Sequence, residues 1–156
     1  DISHFTFMKI INTANLNQAR KQIQEAKKNK EQIIVKAQDE AFNRKILENK
    51  DIDIFLSPEL HERKDYMKQR DSGLNEFLAK LAKKSNIKIG INLQEIQKFS
   101  PKQKAIILSR IKQNIILCKR TNTKIIIIDK EKFTKQDITS FFLILGASTQ
   151  QAKFAF

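Results

Sequence analysis

Short apolar runs alternate along the chain with stretches in which apolar residues recur at helical spacing. Each run has the length of a β-strand, and the segment after it places its apolar positions three or four residues apart. The predicted strands cover residues 3–11, 32–36, 51–57, 87–91 and 125–128. Strands and helices that alternate in series predict an α/β protein with a parallel sheet and right-handed crossovers.

The predicted helices have recognisable ends. The clearest one carries an apolar stripe at i, i+3, i+4 and i+7, which consists of Leu74, Phe77, Leu78 and Leu81. Asp71 and Ser72 precede this stripe and are favourable N-cap residues. Ser100 followed by Pro101 begins a long helix that runs to about residue 121. The buried face of the long helix is expected to contain Ile107, Leu108, Ile111, Ile115 and Cys118.

The C-terminal part and the chain length leave two choices open. Thr134, with Asp137 three residues later, caps a further helix that Gly146 ends, and the tail from Ser148 to Phe156 is either a short helix or a terminal strand. A full eight-unit barrel needs about 250 residues, so this chain is too short for the standard version. The pattern alone therefore allows a doubly wound open sheet or a reduced TIM-barrel-like fold with five or six strands.

The composition is that of a folded and strongly basic chain. Hydrophobic residues make up 40% of the 156 residues and include 11 phenylalanines, which is enough for the core of a single domain over residues 1–156. Lys and Arg number 30 against 17 for Asp and Glu, so the net charge is +13. Such a charge predicts an anionic partner such as nucleic acid, although lysine-rich surfaces also serve solubility.

Cysteine usage and hydropathy indicate the compartment. The single cysteine, Cys118, excludes an internal disulfide and is expected to pack in the core. The chain has no apolar run of the roughly 18 residues that a membrane span needs, and no signal peptide is visible at Asp1. These features predict a reducing, cytoplasmic setting away from membranes.

Few residues could carry catalysis. The two histidines, His4 and His61, lie far apart and lack spaced partner ligands, which argues against a zinc or two-metal site. The three glycines are too few for a phosphate-binding glycine loop. Ser57 has no nearby base and is expected to cap the end of its strand. The chain itself is therefore expected to have no active site.

Basic residues cluster in the connector after the third predicted strand. They are Arg63, Lys64, Lys68 and Arg70, with Tyr66 among them. This connector must lie at the C-terminal edge of the sheet, where α/β folds bind ligands. Arginine can clamp a phosphate with two hydrogen bonds and tyrosine can stack on a base, so we expect RNA contacts here. The alternative is a solvated loop in which Arg70 only pairs with Asp71.

Two further groups of cations lie on helices. Lys102, Lys112 and Arg120 share an arc of the long helix with Ser109 and Gln113, opposite the buried face. A ridge of like charge can follow an RNA backbone, but a charged outer face is also the default for an amphipathic helix. The first helix ends in Lys27, Lys28 and Lys30. Cations at that end suit the helix dipole, so we expect no RNA contact from them.

Short segments along the chain follow one another in a characteristic order and spacing. They are the strand around Phe5, then Ile54–Pro58, Arg70–Asn75, Leu78–Lys80, Asn92–Leu93, Leu117–Arg120, Gly146 and Gln151–Lys153. In this order they resemble ribonuclease P protein component 3, the archaeal counterpart of the thirty-kilodalton eukaryotic subunit. Relative to that family, the chain is expected to lack roughly one leading β/α unit.

The resemblance implies a fold, a role and partners. It implies a TIM-barrel-like fold without an enzyme's pocket, in a non-catalytic subunit of the ribonucleoprotein that removes the 5′ leader from precursor tRNA. The RNA, with magnesium, is the expected catalyst, and the chain itself is expected to bind no cofactor. The expected partners are RNase P RNA, precursor tRNA and a small ferredoxin-like RNase P protein in a heterotetramer.

Two alternatives come from other classes of protein. One is a small metal-dependent phosphoesterase of the same barrel type, against which the missing histidine cluster speaks. The other is a degenerate barrel that serves only as a protein-interaction scaffold, which salt-dependent RNA binding would exclude.

Overall fold

The strands form one parallel sheet in chain order. The computed structural model describes residues 7–65, 67–68 and 70–156. The strands are β1 (Met8–Ile11), β2 (Gln32–Lys36), β3 (Ile54–Leu56), β4 (Lys88–Ile91) and β5 (Ile125–Ile127). Each strand pairs in parallel with the next one, in the order β1-β2-β3-β4-β5. A doubly wound sheet would reverse its strand order part-way, so the order favours the barrel type.

The helices all lie on one face of this sheet. They are α1 (Leu16–Lys28), α2 (Glu40–Leu47), α3 (Glu76–Lys84), α4 (Leu93–Gln97), α5 (Pro101–Thr121), α6 (Lys135–Ile144) and α7 (Thr149–Ala155). Each helix contributes buried side chains to the same core cluster as the outer face of the strands. Helices on one face of consecutively ordered parallel strands define a TIM-barrel-like β/α fold. The tail predicted as a helix or a strand is the helix α7.

The face of the sheet opposite the helices is apolar as well. It carries a smaller apolar cluster of Ile34, Ile54 and Leu56, with Ile126 and Ile128 packed against it. A Cβ added at Gly90 on β4 would lie 2.6 Å from Ile54 Cγ2 and 3.0 Å from Ile128 Cγ2. Side chains of Ile54 on β3 and of Ile128 just after β5 therefore both lie over β4. Glycine is the residue that leaves room for them.

The first and third strands are shorter than predicted. β1 begins at Met8, and Phe7 before it is 69% exposed, while Phe5 lies outside the described residues. β3 ends at Leu56 because Ser57 adopts a left-handed backbone with φ of 56°. The Ser57 hydroxyl is buried without a hydrogen-bond partner among the described residues. The prediction that Ser57 caps its strand was therefore wrong.

The helix α3 begins later than predicted, and one residue of its predicted apolar stripe is exposed. Its N-cap is Asn75, whose Oδ1 accepts a hydrogen bond from the Leu78 amide at 2.8 Å, so Asp71 and Ser72 were wrong as caps. Leu74 enters the core from the turn before the helix. Phe77 is 54% exposed, and the Arg44 guanidinium lies 5.2 Å from its ring centroid. Leu74 and Leu78 are buried as predicted, Leu81 is partly buried, and Ala79 and Ala82 complete the buried face, while α3 packs against α5.

The long helix α5 begins and ends as predicted, but it also buries two polar side chains that were not predicted to be buried. Ser100 and Gln103 form a capping box, and Pro101 is its first residue. The predicted buried residues Ile107, Ile111, Ile115 and Cys118 are confirmed, while Leu108 is only partly buried. Burial raises the pKa of the Cys118 thiol to about 12. Arg110 and Asn114 are also buried on this helix, and both contact the segment between β3 and α3.

Candidate nucleic-acid interface

The connecting loop, residues 57–75, links the C-terminal end of β3 to α3. Near its start lies Pro58, against which the later part of the loop packs at Gly73. Gly73 has a φ of +77°, and a Cβ there would overlap the carbonyl oxygen of Pro58. Only glycine combines this backbone conformation with such a close approach. The two ends of the loop are therefore held together above the sheet edge.

Arg110 of α5 fastens the first half of the connecting loop. Its side chain is 8% exposed. The guanidinium donates to the carbonyl oxygens of Glu59, His61 and Arg63, each at 3.1 Å. Its Nε donates to the Asp65 carboxylate at 3.2 Å. The donors of one side chain thus satisfy buried backbone acceptors that would otherwise cost free energy.

His61 joins the two halves of the loop. Its Nδ1 accepts a hydrogen bond from the Arg63 amide at 3.2 Å, so Nε2 carries the proton and donates to the Asp71 carbonyl oxygen at 2.5 Å. Burial lowers the pKa of His61, and the positive charges of Arg110 and Arg63 lower it further. The imidazole is therefore neutral near pH 7 and acts as a structural hydrogen-bonding group.

Ion pairs close the network. Arg70 pairs with Asp65 at 2.7 Å, and Arg63 pairs with Asp71 at 3.0 Å. The Asp71 carboxylate also accepts from the amide of Gly73 at 3.0 Å. Burial opposes ionisation of both carboxyls, but hydrogen bonds from the arginines and from backbone amides outweigh it and lower the pKa of Asp65 and of Asp71. The alternative reading of Arg70 named Asp71 as its partner, whereas Asp65 holds it.

The predicted basic residues of the loop divide into two kinds. Arg63 and Arg70 keep side chains that are 41% and 45% exposed, but each belongs to an ion pair. Lys64 and Lys68 are exposed and form no ion pair with the described part of the chain. Tyr66 lies outside the described residues. Arg63, Lys64 and Arg70 line one cavity at the C-terminal edge of the sheet, and contact of the four cations with RNA stays a prediction.

The cations of α5 lie on its solvent face, as predicted. Lys102, Lys112 and Arg120 are all exposed. Gln113 does not belong to that outer arc, because its amide donates to the Ser72 hydroxyl at 3.3 Å. Lys112 is therefore next to a residue that contacts the loop. Lys102 and Arg120 lie about 12–15 Å away along the helix, from a rise of 1.5 Å per residue.

The cations at the end of α1 lie where the helix dipole favours positive charge, as expected. Lys27 and Lys28 occupy the last turn, where the helix dipole favours positive charge. Lys27 also pairs with Asp51 at 2.9 Å, and Lys30 follows the helix with a left-handed backbone. The prediction that these residues make no RNA contact remains to be measured.

A cavity that the sequence did not reveal lies beside the connecting loop. The Glu59 cavity has a volume of about 660 Å³, and its lining includes Lys36, Glu59, Glu95, Phe99, Arg63 and Lys64. Lys36 and Glu95 form an ion pair at 3.0 Å. Burial, with a contribution from the negative charge of Glu95, raises the pKa of Glu59 to about 8. The Glu59 carboxyl is therefore protonated at pH 7.

Sequence signals for Arg110 and Glu59 did exist. Arg110 lies between Ile107 and Ile111 on the apolar face of α5, and an arginine there must find several acceptors. Glu59 follows the third predicted strand and Pro58 in the sequence, at the edge where ligands bind. Neither signal identifies the partner residues, because those come from distant segments.

The described ranges add two findings on chemistry and membranes. They contain no group of three or more His, Cys, Asp or Glu side chains that could hold a metal ion. Their helices are too short or too polar to cross a bilayer. His4 lies outside the described residues. The predicted lack of a metal, a cofactor and an active site stays a prediction.

The fold and the site define a class: a β/α protein of the TIM-barrel type with a fastened basic loop at the C-terminal edge of its sheet. No protein-family model matches the chain. Ribonuclease P protein component 3 of Methanococcus vannielii is 28% identical over 123 residues, which are 79% of this chain and 50% of that protein. The Methanosarcina acetivorans protein of the same name is 32% identical over 95 residues, 61% of this chain and 36% of its own length.

Solved structures agree with this class. A chain in a cryo-EM structure of archaeal ribonuclease P with mature tRNA matches with a TM-score of 0.78 at 22% identity. The match covers 94% of this chain and 62% of that one. A crystal structure of an uncharacterized protein matches with a TM-score of 0.57 at 12% identity, over 90% of this chain and 36% of that one.

The comparisons confirm the resemblance predicted from the sequence: this chain is similar to ribonuclease P protein component 3. It spans about half the length of the curated relatives it matches. The structural match bears on the fold, which it confirms as TIM-barrel-like.

Proposed function

We propose that this chain acts as a non-catalytic protein subunit of ribonuclease P, which binds RNA and supports removal of the 5′ leader from precursor tRNA. The observation that carries the proposal is the similarity to ribonuclease P protein component 3 over 79% of the chain. The net charge of +13 supports it, because a folded body with that charge attracts an anionic partner.

The connecting loop is the part of the surface best suited to RNA. Its network with Arg110 fixes the backbone of residues 59–65, so cations on that part lose less conformational entropy on binding. Among the loop cations, Lys64 and Lys68 are the most accessible to a phosphate, because they are exposed and form no ion pair with the described residues. Arg63 and Arg70 are paired with Asp71 and Asp65. Each can therefore contact a phosphate only with the guanidinium N–H donors that its aspartate leaves free. Lys102, Lys112 and Arg120 on α5 would extend the same surface with smaller contributions.

The proposed partners follow the resemblance. They are RNase P RNA, precursor tRNA and a small ferredoxin-like RNase P protein, assembled as a heterotetramer of the two proteins. Magnesium would act with the RNA, and the protein would hold no cofactor of its own. We propose a cytoplasmic location, which the single buried Cys118 and the absence of a possible disulfide favour.

The test is binding of the purified chain to RNase P RNA and to precursor tRNA over a salt series. We expect Lys64→Gln with Lys68→Gln to weaken binding and to reduce the slope of log affinity against log salt by just under one unit per lost phosphate contact. The matched control is Lys28→Gln with Lys30→Gln, which removes the same charge at the end of α1.

Three outcomes would count against the proposal. Equal effects of the two double variants would show a diffuse charge rather than a site. Salt-independent or absent RNA binding would favour the protein-interaction scaffold. Cleavage by the chain alone with an added metal ion would favour the phosphoesterase.

A further inference from the structure

The Glu59 cavity contains a buried acceptor that nothing in the described chain satisfies. Glu59 is 1% exposed, and its Oε1 has no hydrogen-bond partner among the described residues. A buried polar atom left without a partner costs about 1–3 kcal/mol. The carboxyl faces charged groups from three elements: Lys36 at the end of β2, Glu95 on α4 and Arg110 on α5. Arg110 is committed to the loop carbonyls, so it does not satisfy Oε1.

The rest of the cavity combines an aromatic wall with a basic rim. Phe99 is half-buried and lines the cavity together with the aliphatic Ile106 and Ile107. Arg63 and Lys64 line it as well, and both are exposed at the surface of the connecting loop. A volume of about 660 Å³ lies within the range of small-molecule sites, roughly 300–1,000 Å³.

We propose that the Glu59 cavity binds a single unpaired nucleotide of RNA, an inference that rests on the proposed function and deepens it. The base stacks on Phe99, and its polar edge meets the hydrogen-bonding groups of Glu59, Lys36 and Glu95. The phosphate lies at the rim, next to Arg63 and Lys64. Single-stranded RNA is bound in this way wherever a splayed base finds an aromatic platform beside cations.

The protonation state of Glu59 suits a base edge. A protonated carboxyl presents one donor and one acceptor side by side, whereas a carboxylate presents acceptors only. The edge of adenine likewise offers a donor next to an acceptor. Glutamine keeps a donor and an acceptor at every pH, and leucine keeps neither. Glu59→Gln and Glu59→Leu therefore separate hydrogen bonding from packing at this position.

The first experiment measures binding of adenosine and of adenosine monophosphate to the full chain by NMR titration. We expect Phe99→Leu to weaken adenosine binding about tenfold, the scale of one base–aromatic stack. The matched control is Phe133→Leu, which changes a half-buried phenylalanine in a separate cavity between α4, α5 and α6. We expect the monophosphate to bind more tightly than adenosine, and Lys64→Gln to reduce that difference.

The pH dependence supplies a second readout. Adenosine has no group that titrates between pH 6 and 9, so a change in its affinity there reports on the protein. Binding by the unaltered chain should weaken as the pH rises through about 8, where Glu59 loses its proton. Glu59→Gln should bind equally over this range, and Glu59→Leu should bind weakly throughout.

RNA binding separates this inference from the proposed function. Phe99→Leu should weaken binding of a single-stranded RNA and leave the salt slope unchanged, because it removes no phosphate contact. If Phe99→Leu binds RNA and adenosine like Phe133→Leu, the cavity is not a nucleotide site, whereas the phosphate contacts of the loop cations are tested separately by the salt series. If the unaltered chain binds no RNA, the proposed function fails whatever the cavity does. A crosslink from Phe99 to a partner protein would also overturn the nucleotide assignment.

Discussion

Arg110 Nε and the Asp65 carboxylate lie 3.2 Å apart, although 45 residues separate them in the sequence. This contact joins the long helix α5 to the connecting loop at the edge of the sheet. Asp65 also pairs with Arg70, so Arg110 determines indirectly where a candidate RNA-binding arginine is held. The candidate interface therefore depends on a buried residue that need not contact RNA.

Replacing Arg110 should disorganise the connecting loop. We expect Arg110→Met to lower the free energy of unfolding by about 3–5 kcal/mol, since it leaves Asp65 and three carbonyl groups without their buried partner. Urea unfolding measures this loss. Arg120→Met on the same helix removes an exposed arginine and should change stability by at most about 0.5 kcal/mol. Equal losses for the two variants would contradict the role of Arg110.

Two neighbouring residues of α3 should respond very differently to truncation. Leu78 is 4% exposed, so Leu78→Ala should cost about 2–5 kcal/mol of unfolding free energy. Phe77→Ala removes a larger but exposed side chain and should cost about 1 kcal/mol, mainly the contact with Arg44. Thermal or urea unfolding measures the stability loss of each variant. A larger loss at Phe77 would place the helix in the orientation first expected from its apolar stripe.

Stability should depend on pH through Glu59. The folded pKa is raised from 4.5 to about 8, so between these values the folded chain binds one more proton than the unfolded chain. Linkage then requires stability to fall as the pH rises from about 4.5 to 8 and to level off above. Glu59→Gln cannot ionise and should be more stable than the unaltered chain at pH 7 by roughly 2–4 kcal/mol.

The lowered pKa values of Asp65 and Asp71 act in the opposite direction at lower pH. Their ion pairs stabilise the folded state at neutral pH, and this contribution is lost as the pH falls below about 4. The unaltered chain and the Glu59→Gln variant both contain these aspartates. The difference between their free energies of unfolding therefore depends on Glu59 alone. A difference that does not change between pH 5 and 8 would show that Glu59 is ionised in the fold.

The chain alone should not cleave RNA. We expect no cleavage of precursor tRNA with Mg²⁺, Mn²⁺ or Zn²⁺, because the sequence offers no metal-ligand cluster of the kind that hydrolytic metal sites need. The measurement is an end-labelled cleavage assay across successive chromatography steps. Activity that follows the protein through two columns and disappears with a point substitution would refute this prediction.

Local signals in the sequence were enough for most elements. The strand Gln32–Lys36, the start of α5 at Pro101 and the cap of α6 at Thr134 are all as predicted. These features depend on hydrophobic period and on capping hydrogen bonds between residues three positions apart, which a sequence displays directly. The resemblance to ribonuclease P protein component 3 also came from short segments in order.

The features that only the tertiary structure decided all depend on contacts between distant segments. The order of the strands selects the barrel type over the doubly wound sheet, which the same β/α pattern allows. Phe77 is exposed because the buried face of α3 is centred on Leu78, Ala79 and Ala82. Glu59 gains its unusual protonation from burial beside β2 and α4 residues. The sequence by itself determined which elements form and how basic the surface is, whereas long-range packing determined which polar side chains are buried and what they bind.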